Sequence, residues 1–172
     1  MRVLGLIPAC LAIAASSPAL AEAPDLKTPA PVIYLADNLD EADRLGWCID
    51  TQGRGFGENL HAHSCKPQGG DVQFSFDETT GQIKSVAFAG KCMELIAPGE
   101  KIAFGLRDCS DAKTQVFAFA PANGRIAPAN QPDTCVAVGE SSRSAGPFMS
   151  RDLVLMACAS ADRALITWRE KR

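Results

Sequence analysis

The residues able to do chemistry gather in one stretch, Trp47 to Cys65, WCIDTQGRGFGENLHAHSC. His61 and His63 are the only two histidines of the chain. Two apart on a strand, they face the same side. Asp50 adds a carboxylate two residues after Cys48. One reading of the set is a metal site from Asp50, His61 and His63, for which no fourth ligand is evident. Another is a solvated strand, with Asp50 bonded to the backbone of the following turn. An acyl-transfer triad is excluded, because both histidines share one strand and no nucleophile signature accompanies them. Carboxylate pairs for glycoside cleavage depend on a separation in space that one sequence does not give. Gly53-Arg54-Gly55-Phe56-Gly57 reads as a hairpin tip, since no helix follows to receive a phosphate.

The elements that must position these residues recur three times. Cys48, Cys92 and Cys135 follow one another at steps of 44 and 43 residues. Each leads through a loop to a strand and a second cysteine, at Cys65, Cys109 and Cys158. Alternating apolar runs follow, at Val72, Phe74 and Phe76, at Gln115, Phe117 and Phe119, and at Ala164, Ile166 and Trp168. Gly81-Gln82-Ile83 and Gly124-Arg125-Ile126 stand in phase ahead of the next cysteines. Such periodicity describes stacked units, none of which buries its apolar face alone.

Met1-Arg2, the apolar run from Val3 to Ala15 and Ala19-Leu20-Ala21 read as a secretory signal cut after Ala21. A lipoprotein reading around Cys10 is the alternative. Six cysteines then remain in an exported chain, which implies disulfides. Fifteen pairings are possible; the repeat selects Cys48 with Cys65, Cys92 with Cys109 and Cys135 with Cys158. No zinc spacing occurs and no cofactor is expected. The net charge of −3, with no clustered Lys and Arg, excludes an electrostatic nucleic-acid footprint. No membrane span or basic amphipathic helix is read in the mature chain.

Residues 22–31, with three prolines, read as a flexible leader. The acidic segment Asn38–Leu45 reads as a solvated loop. Short β-branched and aromatic segments between Gly, Pro, Asn and Asp predict an all-β barrel or sandwich. Three copies of four strands, about 32–76, 77–119 and 120–170, predict twelve strands with pseudo-threefold symmetry and an aromatic axis.

Cys-apolar-Asp, a strand ending in Cys, Gln-x-aromatic and Gly-x-Ile, three times over, resembles the ricin-type β-trefoil lectin repeat, across Val32 to Trp168. The resemblance implies a β-trefoil over 32–170 and a secreted or periplasmic carbohydrate-binding module, not an enzyme. Gln115-Val116-Phe117 keeps the Gln-x-aromatic signature; Val72-Gln73-Phe74 and Ala164-Leu165-Ile166 depart from it, and none has tryptophan in third place. The resemblance also implies sugar positions: an Asp acceptor, an aromatic platform and two polar partners. In repeat one these are Asp50, His63, His61 and Asp71. Repeat two has Glu94, Arg107, Gly105 and Thr114, where Glu94 and Arg107 are expected to pair. Repeat three has Ala137, Met156, Val154 and Arg163, which supply no acceptor. Weak binding at repeat one alone follows. The competing expectation is a protein-interaction trefoil with degenerate pockets, similar to lectin-like accessory subunits of cytolethal distending toxins. The partners implied are a glycan or glycoconjugate in the first case and a protein in the second.

Overall fold

The computed structural model describes residues 22–39, 41–96 and 103–172. The expected signal segment 1–21, with Cys10, lies outside the described residues, as do Asp40 and residues 97–102. The strands are β1 Val32–Leu35, β2 Trp47–Thr51, β3 Leu60–Ser64, β4 Phe74–Asp77, β5 Gln82–Ser85, β6 Lys91–Leu95 and β7 Phe104–Asp108. They continue as β8 Phe117–Ala120, β9 Arg125–Pro128, β10 Thr134–Val138, β11 Arg143–Ala145, β12 Phe148–Arg151, β13 Leu153–Ala157 and β14 Trp168–Lys171. One short helix, α1 Arg163–Ile166, precedes β14.

The threefold plan is visible in the registers. Cys48 stands opposite His63, Cys92 opposite Arg107 and Cys135 opposite Met156. In the outer pairs, Trp168 faces Leu35, Phe74 faces Ser85 and Phe117 faces Pro128. The three aromatics join Ile33, Ile83, Ile126, Met93 and Val136 in one buried cluster. Adjacent repeats also interlock through the backbone. Phe117 N–H donates to Gly81 O and Trp168 N–H to Gly124 O, both at 2.7 Å. Gly81 and Gly124 sit at φ +70° and +72°, and a Cβ there would lie 3.0 Å from Phe117 O and 2.7 Å from Trp168 O. Only glycine satisfies both the left-handed turn and that approach.

All three disulfides form as the repeat predicts, joining Cys48 to Cys65, Cys92 to Cys109 and Cys135 to Cys158. Each closes the hairpin that carries one set of candidate site positions.

Several expectations are corrected. Among the described residues there are fourteen strands, not twelve: the long third-repeat loop folds as an extra hairpin, β11–β12. It joins the first repeat, giving a sheet ordered β11-β12-β3-β2-β1-β14. The third signature is displaced by two residues. The register makes Ile166-Thr167-Trp168 equivalent to Gln115-Val116-Phe117, so tryptophan does occupy the third place, and Leu165 replaces Arg163 as the preceding position. The cause is α1, capped by Asp162, whose side chain accepts from Ala164 N–H at 3.0 Å. Repeat two has only a 3-10 turn, Lys113–Gln115, at this point. Ile166 therefore packs with Cys135, Ala137 and Leu165, away from the axis cluster.

The acidic loop is also corrected. Asn38 is buried, its carbonyl accepts from Trp47 Nε1 at 3.0 Å, and Asp43 accepts from Ser64 Oγ. Residues 22–31, expected as a flexible leader, run along the domain. Thr28 is buried, donates through Oγ1 to Lys66 O at 2.9 Å and accepts at its carbonyl from Lys171 Nζ at 2.8 Å.

Candidate functional site

The β2–β3 hairpin brings the first-repeat residues together. Asp50 stands opposite His61 in register, and His63 lies one pleat along the same face. The two imidazoles have centroids 5.4 Å apart. Asp50 Oδ2 is 3.9 Å from His61 Nε2 and 3.7 Å from His63 Nδ1. Asp71 joins the cluster through Lys66, whose Nζ lies 2.8 Å from Asp50 Oδ2 and 2.9 Å from Asp71 Oδ1. The structure thus unites all four candidates around a cation that the sequence reading passed over. A signal for it existed: Lys66 follows Cys65, and the disulfide to Cys48 holds it beside the strand carrying Asp50.

The cluster is covered. Asp50 is 1 % exposed, His63 5 % and His61 8 %. β3 is not an exposed edge, because β12 pairs with it, Ser150 opposite His63 and Arg151 opposite Ala62. The Phe148 ring meets His63 edge-on at 5.6 Å, and Ser64 Oγ accepts from Met149 N–H at 3.0 Å. Arg151 fixes the hairpin from below: it lies 4.7 Å over the Trp47 ring, donates to Glu140 O at 2.8 Å and approaches Glu41 at 3.7 Å. The solvated-strand reading of His61 and His63 is thereby removed.

Burial dominates the electrostatics. It pushes the Asp50 carboxyl above its ordinary range, against the opposing pull of Lys66. It depresses His61 to about 4, helped by electrostatic repulsion from the cationic neighbours Arg143 and Lys66. Burial also acts to lower Lys66, but hydrogen bonds to Asp50 and Asp71 outweigh it and hold the ammonium raised. Asp50 Oδ2 is met by the Lys66 ammonium at 2.8 Å, while Asp50 Oδ1 and His61 Nε2 have no hydrogen-bond partner among the described residues. No group of three His, Cys, Asp or Glu side chains there is arranged to hold a metal ion.

The other two positions differ. Glu94 does not pair with Arg107. It accepts from Thr114 Oγ1 at 3.0 Å and Gln115 Nε2 at 2.8 Å, while Arg107 Nη1 donates to Glu58 O at 2.6 Å. The signature glutamine is a brace, since it also donates to Asp108 O at 2.9 Å and accepts from Ser110 N–H at 2.8 Å. Ala137 stands opposite Val154 and is buried beside the third disulfide.

No protein-family model and no curated protein matches the chain. Solved structures do. The β-trefoil lectin of the Vibrio vulnificus hemolysin/cytolysin, solved with N-acetyl-D-lactosamine, superposes over 81% of this chain and 91% of its own, with TM-score 0.55 and 12% identity. The chain has the β-trefoil fold. Agglutinin from Abrus precatorius matches over 84% of this trefoil chain, with TM-score 0.55 and 16% identity. GalNAc-T7, solved with UDP, GalNAc and Mn2+, matches over 82%, with TM-score 0.55 and 17% identity. The trefoil chain spans only 47% of the agglutinin chain and 22% of the GalNAc-T7 chain. At these identities the shared property is the fold. No helix among the described residues is long and apolar enough to cross a membrane.

Proposed function

We propose that the protein is a secreted or periplasmic carbohydrate-binding module of lectin type, with one weak glycan site at the first repeat formed by Asp50, His61, His63 and Asp71. The observation that carries this reading is the buried Asp50 Oδ1, which has no hydrogen-bond donor among the described residues. A buried acceptor left unsatisfied costs about 1–3 kcal/mol, and such a group calls for an explanation. Sugar hydroxyls are donors of the required kind, and the lectin-type resemblance puts its sugar acceptor at this position. The trefoil lectin neighbours support the same class. Three disulfides support passage through an oxidising compartment. The role is binding, with no catalytic group assigned.

The cover explains why binding is weak. A sugar must draw Lys66 off Asp50 and part Phe148 from His63, and the imidazole offers a smaller platform than an indole. The same closure favours a second reading, a protein-interaction trefoil whose sugar pockets are degenerate. A glycan array on the chain from residue 22, followed by titration calorimetry, separates the two. The lectin reading expects glycans that the parent retains and Asp50→Ala does not, with the fold intact by circular dichroism. No retained glycan for the parent and for Phe148→Ala, in which the cover is thinned, overturns it in favour of the second.

A further inference from the structure

A cleft of about 760 Å³ opens where β4, β8 and β14 converge, away from the first-repeat cluster. That volume falls in the range of small-molecule sites, roughly 300–1,000 Å³. It arises from a break in the threefold pattern. Two residues beyond the axis aromatics Phe74, Phe117 and Trp168, equivalent positions hold Phe76, Phe119 and Glu170. The first two rings meet edge-to-face at 5.6 Å and are half-buried. The third place has no ring, and small Ala120 also lines the opening.

The charges at this opening are unequal in commitment. The Glu170 side chain is 9% exposed, and both its oxygens are used. Oε1 accepts from Phe76 N–H at 3.0 Å, and Oε2 from Arg172 Nε at 2.7 Å. Arg172 also pairs with Glu78. Arg169 lines the cleft and is exposed, yet among the described residues it enters no ion pair. Its hydrogen bond there is a 3.4 Å contact from Nη1 to Trp168 O. An apolar floor beside one uncommitted guanidinium is complementary to an amphiphilic anion, since Arg receives a carboxylate through two parallel N–H donors.

We propose that this cleft binds an aryl carboxylate, its ring against Phe76 and Phe119 and its carboxylate on Arg169. The site is independent of glycan recognition. The probe is 2-naphthoate, with 2-naphthylmethanol as the uncharged analogue, followed by calorimetry and by NMR shifts of the parent. Expected are saturable binding of naphthoate and shifts centred on Phe76, Phe119 and Arg169. Affinity should be about tenfold lower for the alcohol and for Arg169→Gln, the loss expected for one charged contact of about 1.4 kcal/mol. Ala120→Trp should fill the opening and abolish binding. No saturable binding to the parent, equal affinity for the alcohol, or shifts centred elsewhere overturns the proposal, and these readouts need no variant to fold.

Discussion

One carboxylate position in two repeats is stabilised by two different residues. Glu94 is braced by Gln115, two residues before Phe117. The equivalent of Gln115 in repeat one is Val72, which donates nothing, and Asp50 is approached instead by Lys66. In repeat three the carboxylate is absent, as Ala137, and the brace position is Ile166. Lys66 is therefore a replacement counterion, and removing it should leave a buried charge alone. Lys66→Met should cost about 2 kcal/mol at neutral pH, below the roughly 3–5 kcal/mol of a fully buried pair because Lys66 is partly exposed. The sign with pH follows from the raised Asp50 carboxyl. The folded state binds that proton more readily than the unfolded chain, so its contribution is full in acid and is lost as pH rises. Urea melts should show the Lys66→Met deficit shrinking from pH 7 toward pH 4, and Asp50→Asn added to it should restore neutral-pH stability. A deficit identical at both pH values would disprove the counterion role.

At the scale of elements, the decisive one is the β11–β12 hairpin. It belongs by sequence to repeat three and by hydrogen bonding to repeat one. Its anchor is Arg151, held by Trp47 and by the carbonyls of Gly139 and Glu140. Arg151→Met should loosen the hairpin without unfolding the barrel, a local loss of about 1–2 kcal/mol from the cation–π and hydrogen-bond contacts. Amide exchange at Ala62 and Ser150 should quicken while Met93 and Leu106 stay protected, and any glycan affinity should rise. Uniform acceleration would mean that the hairpin is not an independent cover. The sequence made the β2–β3 hairpin legible, because two cysteines and alternating residues put Asp50 and His61 opposite each other. The cover was not legible, since Ser64 and Met149 meet across 85 residues and nothing local marks that pairing. Trp168 was misplaced for a related reason. A capped helical turn absorbs two residues after Cys158, and a signature counted in residues does not register that.

At the scale of the molecule, the three repeats contribute to one buried cluster, so a proton bound at one site is felt in global unfolding. Two of the shifted groups of the first repeat, Asp50 and His61, act with opposite sign. Asp50, raised, adds stability in acid. His61, depressed from 6.5 to about 4, does the reverse. The unfolded chain takes up its proton below about pH 6.5 while the folded protein resists until about 4. Stability attributable to His61 is therefore complete above pH 6.5 and lost as the pH falls toward 4, on the order of 3 kcal/mol in all. His61→Gln keeps a polar side chain of similar reach but cannot charge. Its stability should be flatter than the parent's between pH 7 and 4, with the two curves closest at pH 7 and separating toward acid as only the parent bears the cost of a buried imidazolium. The check is a series of thermal or urea melts with the disulfides intact, which keeps the covalent frame constant across the range. Parallel curves for parent and His61→Gln would show that His61 is not held neutral by its burial, and the acid sensitivity of the trefoil would then have to come from other carboxylate pairs.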